Sequence, residues 1–174
     1  MDLDRWLPEP QIRTRHERTA RVDPAQLWSA AETIEVGDAP RLGLVLRWRI
    51  PETPPDLRYR DVFRRYPFVV LDEGEGWSIS GLCGRVWSLR RDYPELAGAD
   101  DFRSWEQPGT VRVVFANWVE PADEGALIVS ESRVGPVDRR ARWRMRALWS
   151  TVGQFQGLIG REALDAAVRR SEGR

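Results

Sequence analysis

The C-terminal third of the chain restricts its fold most. From Asp138 onward, Met145, Leu148, Trp149, Val152, Phe155 and Ile159 recur three and four residues apart. That spacing makes the inner stripe of a long amphipathic helix. Arg139, Arg140, Arg142, Arg144 and Arg146 fall largely outside the stripe. They are expected to form a solvated face, paired with Asp and Glu elsewhere. Gly153, Gly157 and Gly160 each weaken a helix interior by about 1 kcal/mol relative to Ala, which marks a kink or a close backbone approach. Before the helix, the period is two. Thr110 to Glu120 and Ala126 to Val137 read as strands, and the Pro121–Gly125 run between them signals a hairpin.

The rest of the chain is mixed. Residues 1–10 read as an arm, limited by Pro8 and Pro10, from which Leu3, Trp6 and Leu7 can pack on the domain. Residues 11–22 alternate: Ile12, Thr14, His16, Arg18, Ala20 and Val22 share one strand face. Asp23-Pro24 is a helix start, and a short helix through Leu27, Trp28 and Ala31 follows. The stretch from Ala39 to Ile50 fits both an alternating strand and one helical face. Residues 51–58 read as loop, and Arg60 to Tyr66 as a short helix with Val62, Phe63 and Tyr66 inward. Phe68 to Asp72 and Trp77 to Leu89 make a second hairpin about Glu73–Gly76. Residues 90–109 are a long connection.

Composition removes several classes of function. The 174 residues fit one domain, and 41% apolar content with nine Trp supplies a core without disulfides or metals. Basic and acidic residues balance at 27 each, so the basic excess of a nucleic-acid binder is missing. All the basic residues are Arg, which suits a bacterial genome of high GC content and rules out Schiff-base and P-loop lysines. One cysteine, Cys83, permits no intrachain disulfide and suits a reducing cytoplasm. No signal peptide and no apolar run of the roughly 20 residues that span a bilayer are seen. One His and one Cys cannot supply the usual zinc ligand sets, so no metal and no cofactor is expected. Gly76-Trp77-Ser78-Ile79-Ser80 misses the nucleophile-elbow pattern at its last glycine and lies within a strand run. No residue is assigned as catalytic.

Three segments carry a resemblance. Ala20-Arg21-Val22-Asp23-Pro24-Ala25-Gln26-Leu27-Trp28 resembles the first strand and first helix of the START-like (SRPBCC) superfamily. Gly81-Leu82-Cys83-Gly84-Arg85-Val86-Trp87 resembles a glycine-rich strand of one bacterial branch of it. Ser130-Glu131-Ser132-Arg133-Val134, with Asp138-Arg139-Arg140-Ala141, resembles that branch's last strand and its junction with the closing helix. The resemblance spans roughly residues 11 to 170. It implies an α+β helix-grip fold over 11–174: a curved antiparallel sheet wrapped around a long C-terminal helix, with short helices after the first strand. It also favours the helical reading of Ala39 to Arg49. The superfamily's cavity between sheet and helix takes ligands from lipids to polyketides.

The candidate ligand-binding residues are His16, Trp87, Asn117, Glu131, Arg133 and Trp149. Inward-facing polar groups are costly unless paired or wetted, so His16, Asn117, Glu131 and Arg133 can fix one polar end of an apolar ligand. The other reading places Glu131 and Arg133 in cross-strand pairs on the outer face of the sheet. Asn117 and Trp118 alternate, so only one of them faces inward. The expected function is binding or carrying a small hydrophobic molecule, a lipid or polyketide-like metabolite, without nucleic acid or stable membrane insertion. The alternatives are a cyclase- or dehydratase-like enzyme using His16 or Glu131 as acid or base, and a ligand-free scaffold presenting Trp6 or Trp143 in one apolar patch.

Overall fold

The computed structural model describes residues 1–50, 52–88 and 93–173; the side chains of residues 49 and 151–160 lie outside that description. Five strands, β1 (Ile12–Ala20), β2 (Val69–Gly74), β3 (Trp77–Gly84), β4 (Val111–Ala122) and β5 (Gly125–Pro136), form one antiparallel sheet. Its order is β1-β5-β4-β3-β2. The helices are α1 (Pro24–Glu32), α2 (Pro40–Arg49), α3 (Tyr59–Val62), α4 (Ala99–Arg103) and α5 (Arg139–Ser171). The architecture is α+β, an open curved sheet gripping a 33-residue C-terminal helix. None of the helices, over the described residues, is long and apolar enough to cross a membrane.

Local chemistry accounts for the element ends. Asp23 caps α1 by accepting from Gln26 N at 2.9 Å, and Pro24 occupies the first turn. Asp138 caps α5 by accepting from Ala141 N at 2.7 Å, while its other oxygen accepts from Gly109 N at 2.7 Å. Those backbone N–H bonds, more than the nearby Arg140, hold its carboxyl below the usual range. The ambiguous stretch at 40–49 is helical, because Leu42 and Leu46, one turn apart, both bury against Val62, Phe63 and Ala163.

Four expectations change. β3 stops at Gly84, so Trp87 follows the strand; Leu89 lies outside the described residues. The connection 90–109 contains α4, which Phe102 anchors by complete burial. Tyr66 is 51% exposed, because α3 ends at Val62 and the chain turns away. Trp6 and Trp143 share no patch, since Trp6 is 4% exposed.

Both faces of the sheet are covered, but differently. The inner face meets α5 through Ile12, Val134, Val113 and Met145 at one end and Ile128, Leu164 and Ala167 at the other. The outer face is covered by the N-terminal arm and α4. Leu3, Trp6, Leu7 and Phe102 pack there on Ile79, Val114, Ala116 and Val129. Two glycines permit this close approach. A Cβ on Gly81 would sit 2.7 Å from the Phe102 ring, and one on Gly135 would sit 2.5 Å from Leu7 Cδ1.

Candidate functional site

Strand register lines up the polar residues of the inner face. His16, Ser130, Asn117 and Ser78 stand opposite one another across β1, β5, β4 and β3. Thr14, Ser132, Phe115 and Ser80 form the neighbouring row. Directly opposed residues share a face, so both rows point toward α5. Thr14 and Ser132 satisfy each other, with 2.5 Å between hydroxyl oxygens. The side chains of Ser78, Ser80 and Asn117 make no hydrogen bond among the described residues.

These three side chains line a cavity of about 70 Å³. Its apolar walls come from Ile34 beyond α1, Phe63 after α3, Ile128 of β5, and Ala163, Leu164 and Ala167 of α5. Trp28 and Trp77 also border it. Tyr59 lines it too, packed edge-on against Phe63 with ring centres 5.1 Å apart. Burial raises the Tyr59 phenol above its ordinary value, so the hydroxyl stays protonated and available as a donor. At the rim, the ion pairs Arg60–Glu32 and Arg64–Glu73 join side chains a third or more exposed. Ser80 is the most informative member. It is only 4% exposed, faces the cavity and has no partner. Buried polar side chains in folded proteins are nearly always hydrogen-bonded. The fully enclosed unpartnered side-chain atoms among the described residues are Trp6 Nε1 and Gln11 Oε1, whereas the Ser80 hydroxyl opens onto the cavity, where water or a ligand group can meet it.

The expected site residues fall into three places. Asn117 lines the cavity. His16 lies in the same row but is not among the lining residues. Its pKa is lowered by burial first, then by the charges of Arg161 and Arg18, so it is neutral at pH 7. Trp87 and Trp149 pack at the other end of the inner face, beside Leu82, Val111 and Met145. There the Arg144 guanidinium lies 5.9 Å from the Trp87 ring centre. The inner-stripe positions Val152, Phe155 and Ile159, and the glycines at 153, 157 and 160, lie outside the described side chains.

Glu131 and Arg133 are a correction. They point to the outer face, away from the cavity, because Glu131 opposes Ala116 and Arg133 opposes Val114, both in the outer-face core. Arg133 Nε donates to Glu131 Oε1 at 2.7 Å, and Arg13 Nη2 donates to Glu131 Oε2 at 2.9 Å. Arg133 Nη1 reaches the arm, donating to Asp4 Oδ1 at 2.5 Å and to the Leu7 carbonyl at 3.1 Å. Burial opposes the Glu131 charge, but the two guanidinium groups outweigh it and hold the carboxyl below its ordinary value. The cluster ties the arm to the sheet. With Glu131 on the far face and His16 off the lining, neither expected acid–base residue borders the cavity.

Sequence reasoning missed Ser78, Ser80, Tyr59, Phe63 and Trp28 as lining residues. The serines carried a usable signal, since both alternate with Ile79 inside the β3 run. Their convergence with Asn117 required the β3–β4 register. Cys83 is on the outer face, and burial pushes its thiol up to about 12, which removes it as a nucleophile.

No protein-family model matches the chain. No curated protein sequence matches it either. Several solved structures follow a similar chain course. Protein MLL2253 from Mesorhizobium loti is 14% identical, over 91% of this chain and 98% of that one, at a TM-score of 0.41. Hypothetical protein jhp0584 from Helicobacter pylori is 11% identical, over 97% and 93%, at 0.43. The Zhui aromatase/cyclase from Streptomyces sp. R1128 is 14% identical, over 91% and 94%, at 0.35. At these values the similarities carry nothing about function, and the helix-grip description rests on the sheet order and the closing helix.

Proposed function

We propose that the protein binds a small, mostly apolar molecule by one polar end, in the cavity between β3, β4, α1, α3 and the C-terminal part of α5. The observation that carries this reading is the convergence of Ser78, Ser80 and Asn117, whose side chains have no hydrogen bond among the described residues, on one cavity with apolar walls. Apolar walls with a few placed donors and acceptors are the usual layout of a small-molecule site. Asn117 can both donate and accept, and each serine can do either, so a carbonyl or hydroxyl of the ligand fits equally well. The volume sets the scale. About 70 Å³ holds a ring or a chain end, whereas whole drug-sized ligands occupy about 300–1,000 Å³. The START-like resemblance agrees with this reading and puts lipids and polyketide-like metabolites first among compounds to test. A reducing cytoplasm is the proposed setting, in keeping with the single, buried Cys83.

Native mass spectrometry of the protein purified from its own host tests the proposal. A co-purified small molecule is expected, and it should be lost in a Ser80→Val, Asn117→Leu double variant that melts as the parent does. A protein free of ligand, whose affinity for an anilinonaphthalene probe is the same in parent and double variant, would sink it.

A further inference from the structure

The start of α5 has an unusual charge arrangement. Five of its first eight residues are Arg139, Arg140, Arg142, Arg144 and Arg146. The expected carboxylate partners are missing. Among the described residues none of the five forms an ion pair; other arginines, such as Arg41, Arg58 and Arg161, also lack one, but no other stretch gathers so many within eight residues. Arg144 leans toward Trp87. The adjacent carboxylate, Asp138, is occupied by the backbone N–H groups of Ala141 and Gly109.

This placement works against the helix. The N-terminus of a helix carries partial positive charge, which disfavours cations in the first turns. Arg140 and Arg144, and Arg142 and Arg146, are also like charges four residues apart, which repel. Folding alone gives no reason for the arrangement. A single large apolar side chain stands among these charges. Trp143 is 72% exposed. At about 100° per residue, it projects between Arg139 and Arg146 on one side and Arg140 on the other.

We propose that this face of α5 docks on an anionic lipid surface, with the arginines on the headgroups and Trp143 at the polar–apolar boundary. Clusters of four to eight basic residues on a helix suit anionic headgroups, and Trp prefers the interfacial region. A membrane fits better than a nucleic acid for two reasons. The patch lies on an exposed, convex helix, whereas single-strand binders track the backbone along a charged groove. The chain's formal charge is zero, so it lacks the general positive field of nucleic-acid binders. Docking here does not depend on a ligand in the cavity, which lies against the opposite end of α5.

Vesicle co-sedimentation of the full chain tests this, comparing pure phosphatidylcholine with phosphatidylcholine containing phosphatidylglycerol. Binding is expected only to the mixed vesicles, and it should fade as salt rises. Replacing Arg139, Arg140, Arg142 and Arg146 together by Gln should weaken binding at least about 100-fold. Trp143→Ser should weaken it about 10-fold. These side chains are exposed, so both variants should fold, and the Gln variant should melt at the same temperature or higher. Three results would each overturn the proposal: no binding of the parent to mixed vesicles, undiminished binding of the Gln variant, or tighter binding of the parent to single-stranded RNA than to mixed vesicles at equal salt.

Discussion

The two faces of the sheet use similar polar residues to opposite ends. On the outer face, Glu131 and Arg133 are buried, and each has its charge and hydrogen bonds met by Arg13, Asp4 and the Leu7 carbonyl. On the inner face, Ser78, Ser80 and Asn117 are buried or half-buried, and their side chains are met by nothing described. The stronger polar groups therefore hold the arm to the sheet, and the weaker ones line the cavity proposed above as the ligand site.

Glu131→Ala should break this comparison most severely. It leaves the Arg133 guanidinium buried without its main counter-charge, which costs about 3–5 kcal/mol. Urea unfolding measures the loss, and a change under 1 kcal/mol would mean that the outer cluster is not structural. Acid tests the same cluster without mutation. The folded-state pKa of Glu131 is depressed, so its contribution is present above the unfolded value of about 4.3 and is lost as pH falls through the folded value. Proteolysis within residues 1–10 should accelerate in that range, because Arg133 tethers the arm.

The inner face should respond far less. Ser80→Ala removes a hydroxyl with no partner, so stability should change by under about 1 kcal/mol, in either direction. Binding of the co-purified ligand should drop about 10-fold. A large destabilisation by Ser80→Ala would erase the distinction between the faces. The smallest effect belongs to His16. Its folded pKa is lowered, so the unfolded chain takes up the proton first. Stability is complete above about pH 6.5 and declines as pH falls through the folded value. His16→Gln should flatten thermal melting against pH across that window while leaving ligand binding unchanged.

Much of the architecture was legible because local rules acted alone. Alternation in residues 11–22 put Thr14, His16 and Arg18 on one face, and they stand there. The Asp23-Pro24 and Asp138 caps start α1 and α5 as their chemistry requires. The 40–49 stretch resisted, because Leu42, Leu44 and Leu46 fit a strand as well as Leu42 and Leu46 fit a helix. Only contact with Val62, Phe63 and Ala163 decided it. Helix α4 was hidden, because five residues with one apolar anchor, Phe102, give no periodicity to read.

The sequence by itself determined which residues share a face: Asn117 with Phe115, Glu131 with Arg133, and Trp118 on the face opposite Asn117. Alternation divides a strand into two sets but does not say which set faces the helix, and this sheet is apolar on both faces because the arm and α4 bury the second. Only the tertiary structure turned Glu131 and Arg133 outward, brought Ser78 and Ser80 beside Asn117, and left the five arginines at the start of α5 without an ion pair among the described residues. Each of those outcomes depends on which distant segment comes to rest against a given side chain, and residue spacing along the chain carries no record of that.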